Sequence, residues 1–384
     1  MQVQKEILVR YGEIFLKSEI VRTLYEKKLV ENIKAGLKKS GIKPEIYKKR
    51  GRIFIKTEKI SRACNSLKRI FGIVSFSPCF HLQTSRKDEI IEFFRENYTS
   101  FIKPKQTFAL EVKRVGNHDY SSQQLAKEIG KVVRRNVNLT KPDVKIFIEV
   151  RENDTYVYTK KIKGLGGMPV STSGKVLSLI SGGIDSPVSS WLAMKRGCRV
   201  VFIHFHSFPL VSRTSIEKAK ELVKILSQYQ GKAKLYLIPF SEVQMRIKTL
   251  APAKYRIILY RRAMVKISEE IAKKEKAKAL VTGESLAQVS SQTLDNLAVI
   301  NEAASLPILR PLIGMDKNEI IEIAKKIKTY EISIKPQEDC CTLFVPKHPT
   351  TKAKLEIVKK IEKGLGLGKI VEKVIKESEV VETI

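Results

Sequence analysis

Apolar residues recur along the chain in two rhythms, every second position and every third or fourth, and their succession outlines the elements. Residues 4–10 read as a strand, and residues 18–40 as a helix carrying Ile20, Leu24, Ile33 and Leu37 on one side until Gly41 stops it. Strands over 45–49 and 52–56 follow, turned at Gly51, then a short helix over 61–70 and a strand over 73–82. This βαββαβ order is ferredoxin-like. A helix over 87–98, a strand over 107–113, a helix over 122–136 and strands over 144–150 and 155–160 predict a second small α/β module. Residues 163–175, dense in Gly, Ser, Thr and Pro, read as a linker.

Beyond the linker, strands and helices take turns: strand 176–180, helix 188–195, strand 199–204, helix 216–229, strand 233–239, a long helix over 255–275 and a strand over 279–282. Residues 352–384 read as helical. Such alternation predicts a doubly wound parallel sheet covered on both faces, so the fold class is α/β. Ligands of such sheets sit at the carboxyl ends of the strands. A chain of 384 residues is too long for one ordinary core and suits two or three.

Charge changes this picture most. With 72 Lys and Arg against 40 Asp and Glu, the chain carries +32. The excess is spread along it, with 36 basic and 18 acidic residues in 1–170 and the remaining 36 and 22 in 171–384. A broad footprint on a folded polyanion explains that distribution better than a tethering arm does, and a Lys-rich solvated surface is the plainer alternative. No apolar run approaches the roughly 20 residues needed to cross a bilayer. The start lacks the apolar stretch of a signal peptide, so a cytoplasmic protein with no membrane partner is expected. The five cysteines, Cys64, Cys79, Cys198, Cys340 and Cys341, contain no CxxC pair. That argues against a disulfide framework and against a zinc site.

The sharpest local signal is Ser181-Gly182-Gly183-Ile184-Asp185-Ser186, set between the apolar strand and a helix that Pro187 suits at its first turn. Glycines let a backbone approach a phosphate closely, and the unpaired N–H groups and positive dipole end of the following helix favour an anion. No GK[ST] closes the turn, so it is not a Walker A loop, and Gly164-Leu165-Gly166-Gly167 lacks the context of a dinucleotide fingerprint.

Strand, SGGxDS, helix resembles the PP-loop of ATP pyrophosphatases. The strings GLGGMPVSTSGKVLSLISGGIDSPVSSWLAMKRG, VVFIHFHS, TGESLAQVSSQTLDNL, RPLIGMDKNEI and EDCC follow in the order of the 4-thiouridine synthetase family also linked to thiazole synthesis, and the resemblance extends over nearly the whole chain. It implies a ferredoxin-like domain over 1–75, a THUMP RNA-binding domain over 76–165 and a PP-loop catalytic domain over 166–384. It implies ATP and Mg2+ as cofactors, with Ser181, Gly182, Gly183 and Ser186 cradling pyrophosphate and Asp185 organising the metal-bound phosphates. Adenine and ribose are expected on Leu179, Ile180, His204, Phe205, Arg261, Gly283 and Gln292. Taken alone, His204 reads more readily as a satisfied core histidine, and a solvated charge is the lesser alternative for Arg261. Lys317 is expected to neutralise phosphate or the activated uridine, while its neighbour Asp316 caps a helix.

The resemblance further implies that ATP adenylates uridine 8 of tRNA and that sulfur carried on Cys340 then displaces the AMP-activated oxygen, a thiolate or persulfide being the available nucleophile. Cys341 and Cys198 are candidates for the thiol that resolves the intermediate. Longer relatives end in a rhodanese domain, and with the chain closing at Ile384 the expected sulfur donor is a separate cysteine desulfurase or sulfur carrier. A homodimer is implied too. The same loop could instead serve 2-thiolation, amine ligation or sulfur delivery to thiazole synthesis, and a non-catalytic RNA-binding protein is the alternative from outside enzymes.

Overall fold

The computed structural model of the protein describes residues 3–49, 51–336, 344 and 348–383, and the chain divides into a unit of Met1–Gly167 and one of Met168–Ile384. In the first unit β1 (Val3–Tyr11), α1 (Glu19–Lys39), β2 (Glu45–Lys49), β3 (Arg52–Lys56), α2 (Ile60–Leu67) and β4 (Ile73–Leu82) realise the βαββαβ order. They are followed by α3 (Lys87–Phe101), β5 (Phe108–Val115), α4 (Ser122–Val132), β6 (Val144–Arg151), β7 (Asp154–Tyr158) and β8 (Ile162–Lys163). All eight strands join one sheet, in the order β2-β3-β1-β4-β7-β6-β5 with β8 on β4. Strand β4 pairs antiparallel with both β1 and β7, so it stitches the two halves of the unit together.

Across that seam runs a buried charge cluster: Arg10 of β1 donates to Glu149 of β6 at 2.8 Å and to Ser77 of β4 at 3.0 Å. Burial opposes a charged Glu149, but the Arg10 guanidinium outweighs it and holds the carboxyl at about 2. On α1 the sequence reading fails in part. Leu29, Ile33 and Leu37 are buried, whereas Ile20 and Leu24 stand 78% and 61% exposed. Leu24 and Ile33 lie nine residues apart, two and a half turns at about 3.6 residues per turn, so the four do not share one side: Leu29, Ile33 and Leu37 line the core-facing side of this 21-residue helix, and Ile20 and Leu24 the opposite one. The expected linker is not loose at its start: Gly164 N–H donates to Val74 O at 2.8 Å, and a Cβ on Gly164 would lie 2.2 Å from Ile73 O.

The second unit is built from β9 (Lys175–Leu179), α5 (Asp185–Lys195), β10 (Arg199–His206), α6 (Thr214–Gln230), β11 (Ala233–Pro239), α7 (Ser241–Leu250), α8 (Arg256–Lys274) and β12 (Leu280–Val281). It continues through α9 (Leu294–Asn301), β13 (Ile308–Leu309), α10 (Lys317–Lys326), α11 (Tyr330–Ser333), α12 (Leu355–Leu365), α13 (Gly368–Lys376) and β14 (Glu379–Thr383). The sheet order is β13-β12-β9-β10-β11-β14. Strands β9 to β13 are parallel, and β14 pairs antiparallel with β11. The expected all-helical C-terminus is therefore corrected: its last residues close the sheet edge, a pairing that depends on an exposed partner strand far away in sequence. Leu177, Val201 and Ile203 of the sheet pack on Phe240, Tyr260 and Met264 in the main core. Among the described residues no helix is long and apolar enough to cross a membrane.

From β9 the chain winds outward one way to β10 and β11, and later the other way to β12 and β13. The order thus reverses between β9 and β12. A crevice opens at the carboxyl ends of strands at such a switch point, and this is where parallel sheets bind ligands.

Candidate functional site

Two turns wall the crevice, one leaving β9 and one leaving β12. After β9 the chain tightens through residues 180–184 into α5. Ser186 Oγ accepts from Ser181 N–H at 2.9 Å, and Gly183 N–H donates to Ser181 Oγ at 3.3 Å, so the two serines fix the turn from inside. No side chain caps α5, which leaves the leading N–H groups of the helix and its positive dipole end for an anion. The helix lies close to its neighbours because serines line its buried face. Ser189 donates to Thr282 O at 2.6 Å, and Ser190 donates to Ser186 O at 2.8 Å.

That closeness demands glycine at 283, where a Cβ would stand 2.7 Å from Ser186 N and 2.9 Å from Ser186 Cα. Gly283→Ala must therefore push the first turn of α5 off β12. The expected result is a loss of about 1–3 kcal/mol in stability, the usual range for overpacking, together with weakened nucleotide binding. A thermal melt and an ATP titration check it, and an unchanged melt with unchanged affinity refutes the tight fit.

Between the turns lies a cavity of about 270 Å³. Leu179, Ile180, Ser181, Gly183, Asp185, Ser186, His204, Phe205, Arg261, Gly283 and Gln292 line it, so residues spread over more than 110 positions of sequence meet in one place. Gly182 belongs to the same turn without lining the cavity. Met264, Thr282, Glu284, Gln288 and Val289 line it as well, and sequence reasoning did not single them out. For four of these the available signal was position, since they fall directly after β12 as SGGIDS falls after β9. Met264 looked like core.

His204 Nδ1 lies 2.9 Å from Ile180 O and so ties β10 to the start of the turn. The side-chain oxygen of Gln292 is buried with no hydrogen-bond partner among the described residues, an acceptor left for a donor on a bound molecule. Glu284 is buried and accepts from Thr282 Oγ1 and Arg310 Nε, both at 2.8 Å, which makes it part of the floor rather than a free carboxylate. On α8, neighbouring arginines part ways. Arg261 lines the cavity, while Arg262 is buried against Glu302 at 3.0 Å and Glu362 at 2.9 Å. Two residues along β10 from His204, burial, His204 itself and Arg213 push His206 down to about 4, so it is neutral near pH 7.

At the mouth, Lys317 Nζ meets Asp185 Oδ1 at 2.6 Å, and Gln288 donates to Asp185 Oδ2 at 3.0 Å. Lys317 owes its place to its neighbour: Asp316 caps α10, accepting from Asn318 N–H at 2.7 Å and Glu319 N–H at 3.0 Å. Lys317 thereby opens the helix beside α5. Among the described residues no group of three or more His, Cys, Asp or Glu converges as a metal cage. Cys340 and Cys341 lie outside the described residues. Cys198 is buried just before β10 begins, and six residues at about 3.3 Å each separate it from His204 at the crevice end, roughly 20 Å. Cys198 thus sits at the end of β10 away from the crevice.

Comparison with known proteins places these features in context. Family models match over residues 171–367 (thiamine biosynthesis protein, ThiI), 6–77 (ThiI ferredoxin-like domain) and 86–160 (THUMP domain). A probable tRNA sulfurtransferase of Acetivibrio thermocellus is 43% identical, covering 98% of each chain. One of Caldanaerobacter subterraneus subsp. tengcongensis is 44% identical over 98% of this chain and 99% of its own. Among solved structures, a 4-thiouridine synthetase in complex with RNA and bound ATP is 33% identical, with a TM-score of 0.89 over 99% of this chain and 100% of that one.

Proposed function

Since the chain belongs to the ThiI family of tRNA sulfurtransferases, we propose that it converts uridine 8 of tRNA to 4-thiouridine by adenylation at this crevice followed by sulfur transfer from Cys340. The observation that carries this reading is the meeting of three things at one turn: open helix N–H groups, the Asp185–Lys317 pair, and the end of α11, whose Ser333 donates to Gly183 O at 3.2 Å. Cys340 follows Ser333 by seven residues in the sequence. On the far side, Asn296, four residues beyond Gln292, holds Thr350 O at 2.9 Å.

ATP suits the crevice by its open donors and acceptors, and the structural relative with bound ATP supports the assignment. Ser181, Gly182, Gly183 and Ser186 would cradle the outer phosphates, and Gln292 Oε1 would receive a donor from the base. Mg2+ fits as a metal held by one protein carboxylate plus phosphate oxygens and water, the usual arrangement for that ion. Asp185 is the carboxylate available, and bound Mg2+ would neutralise developing phosphate charge. Lys317, beside Asp185 at the mouth of the cavity, would neutralise phosphate charge.

In the first step uridine O4 attacks the α-phosphorus, the bond to the bridging oxygen breaks and pyrophosphate leaves. The terminal sulfur of a Cys340 persulfide then attacks C4, and AMP departs with the former O4. A second thiol breaks the resulting disulfide, joining its sulfur to that of Cys340 and releasing the 4-thiouridine thiolate. The described cysteines do not suit delivery, because Cys64, Cys79 and Cys198 are all buried, and burial raises each thiol. A separate desulfurase or sulfur carrier would load Cys340, and the first unit, with its THUMP match, would grip tRNA phosphates in the cytoplasm.

Incubation of the protein with tRNA, ATP and a persulfide source, followed by mass spectrometry of the digested nucleosides, tests the reading. A 4-thiouridine signal that depends on ATP is expected. Persistent absence of that nucleoside with correctly loaded protein would refute it.

A further inference from the structure

Helix α6 holds a charge where an apolar side chain would be expected. Lys218 lies in its buried stripe with Ser215, Ala219 and Leu222, and is only 5% exposed. An ammonium withdrawn from water is tolerated when its N–H groups are bonded. Lys218 Nζ donates to Ser333 O at 2.9 Å and to Lys335 O at 2.6 Å, carbonyls at and just past the end of α11 that no further helical turn can satisfy. Ser333 then passes the constraint on, its hydroxyl donating to Gly183 O at 3.2 Å. Across a trans peptide the carbonyl and the next N–H point in opposite directions. Holding the Gly183 carbonyl therefore sets the direction of Ile184 N–H, one of the leading donors before α5.

We infer that Lys218 and Ser333 are positioning residues that hold the phosphate-binding turn and the chain leading toward Cys340 in one register, so that nucleotide grip and sulfur delivery are coupled through α11. The inference rests on the function proposed above. It requires no new chemistry, only that the turn and the outgoing chain share an anchor. A lysine serves here because a single side chain can donate to two carbonyls two residues apart, which a hydroxyl could not do.

Ser333→Ala and Lys218→Met in the full chain test it, with three readouts: affinity for a non-hydrolysable ATP analogue, pyrophosphate released, and 4-thiouridine formed per pyrophosphate. Ser333→Ala is expected to weaken analogue binding about fivefold, the scale of one lost hydrogen bond. Lys218→Met is expected to weaken analogue binding by a similar factor, and its 4-thiouridine yield per pyrophosphate released is expected to fall about tenfold. Free sulfide, which can attack C4 directly with AMP as the leaving group, should restore that yield. Wild-type values for both variants overturn the inference, as does a Lys218→Met defect that sulfide leaves unrepaired. If Lys218→Met fails to fold, Ser333→Ala decides, and unchanged analogue affinity counts against the coupling. A wild-type protein that releases no pyrophosphate, or a Cys340→Ser variant that thiolates fully, overturns the parent reading instead.

Discussion

Asp185→Ala is expected to lower tRNA-dependent pyrophosphate release by on the order of 10³-fold while barely moving the melting temperature. The two halves of that expectation have different sizes for a physical reason. In the resting protein Asp185 pairs with Lys317 at 2.6 Å, with side chains 21% and 45% exposed. Ion pairs that wet contribute about 1 kcal/mol at most, so the fold loses little. A carboxylate that places a metal ion on the reacting phosphates influences the step by several kcal/mol, and each 1.36 kcal/mol is a factor of ten in rate. Asp185→Asn separates charge from shape, because its amide oxygen can still accept from Gln288 while the negative charge is gone. It should be nearly as inactive as the alanine variant. Pyrophosphate release within a few fold of wild type in both variants would remove Asp185 from the reaction.

Cys340→Ser is expected to abolish 4-thiouridine while leaving pyrophosphate release within about twofold, since in the proposed order adenylation precedes the need for sulfur. The serine oxygen is nearly the same size but cannot carry a persulfide, and the nucleophile is lost outright rather than weakened. Free sulfide should return part of the product to this variant, as it replaces the missing sulfur without changing the leaving group. Cys341→Ser, assayed beside it, tells whether the adjacent thiol matters. Full thiolation by Cys340→Ser would be fatal to the assigned role, whereas loss of pyrophosphate release would point to damage in the crevice. One assay with two products serves both variants, so activation and sulfur transfer are read separately.

How much of this the chain announces in its order of residues can be judged element by element. The βαββαβ order, the alternating second half and the turn Ser181–Ser186 are local patterns, fixed by glycines, apolar periods and a strand running into a helix within a few residues. The same holds for the Asp316 cap, which needs only Glu319 three residues on. Resemblance to a family then drew Arg261, Gly283 and Gln292 toward the turn, although no local pattern in the chain could place them there.

What the sequence by itself determined is the kind of protein: a basic chain with a phosphate-binding turn between a strand and a helix, in a family of tRNA sulfurtransferases. Only the tertiary structure decided that Lys317 meets Asp185 from 132 residues away, that Lys218 anchors the end of α11, and that Glu379–Thr383 form the edge strand β14. Short-range preferences are encoded in neighbours and survive reading in one dimension. Contacts between distant segments exist only once packing has chosen which faces meet, and burial then decides which charges are paired and which thiols are out of reach.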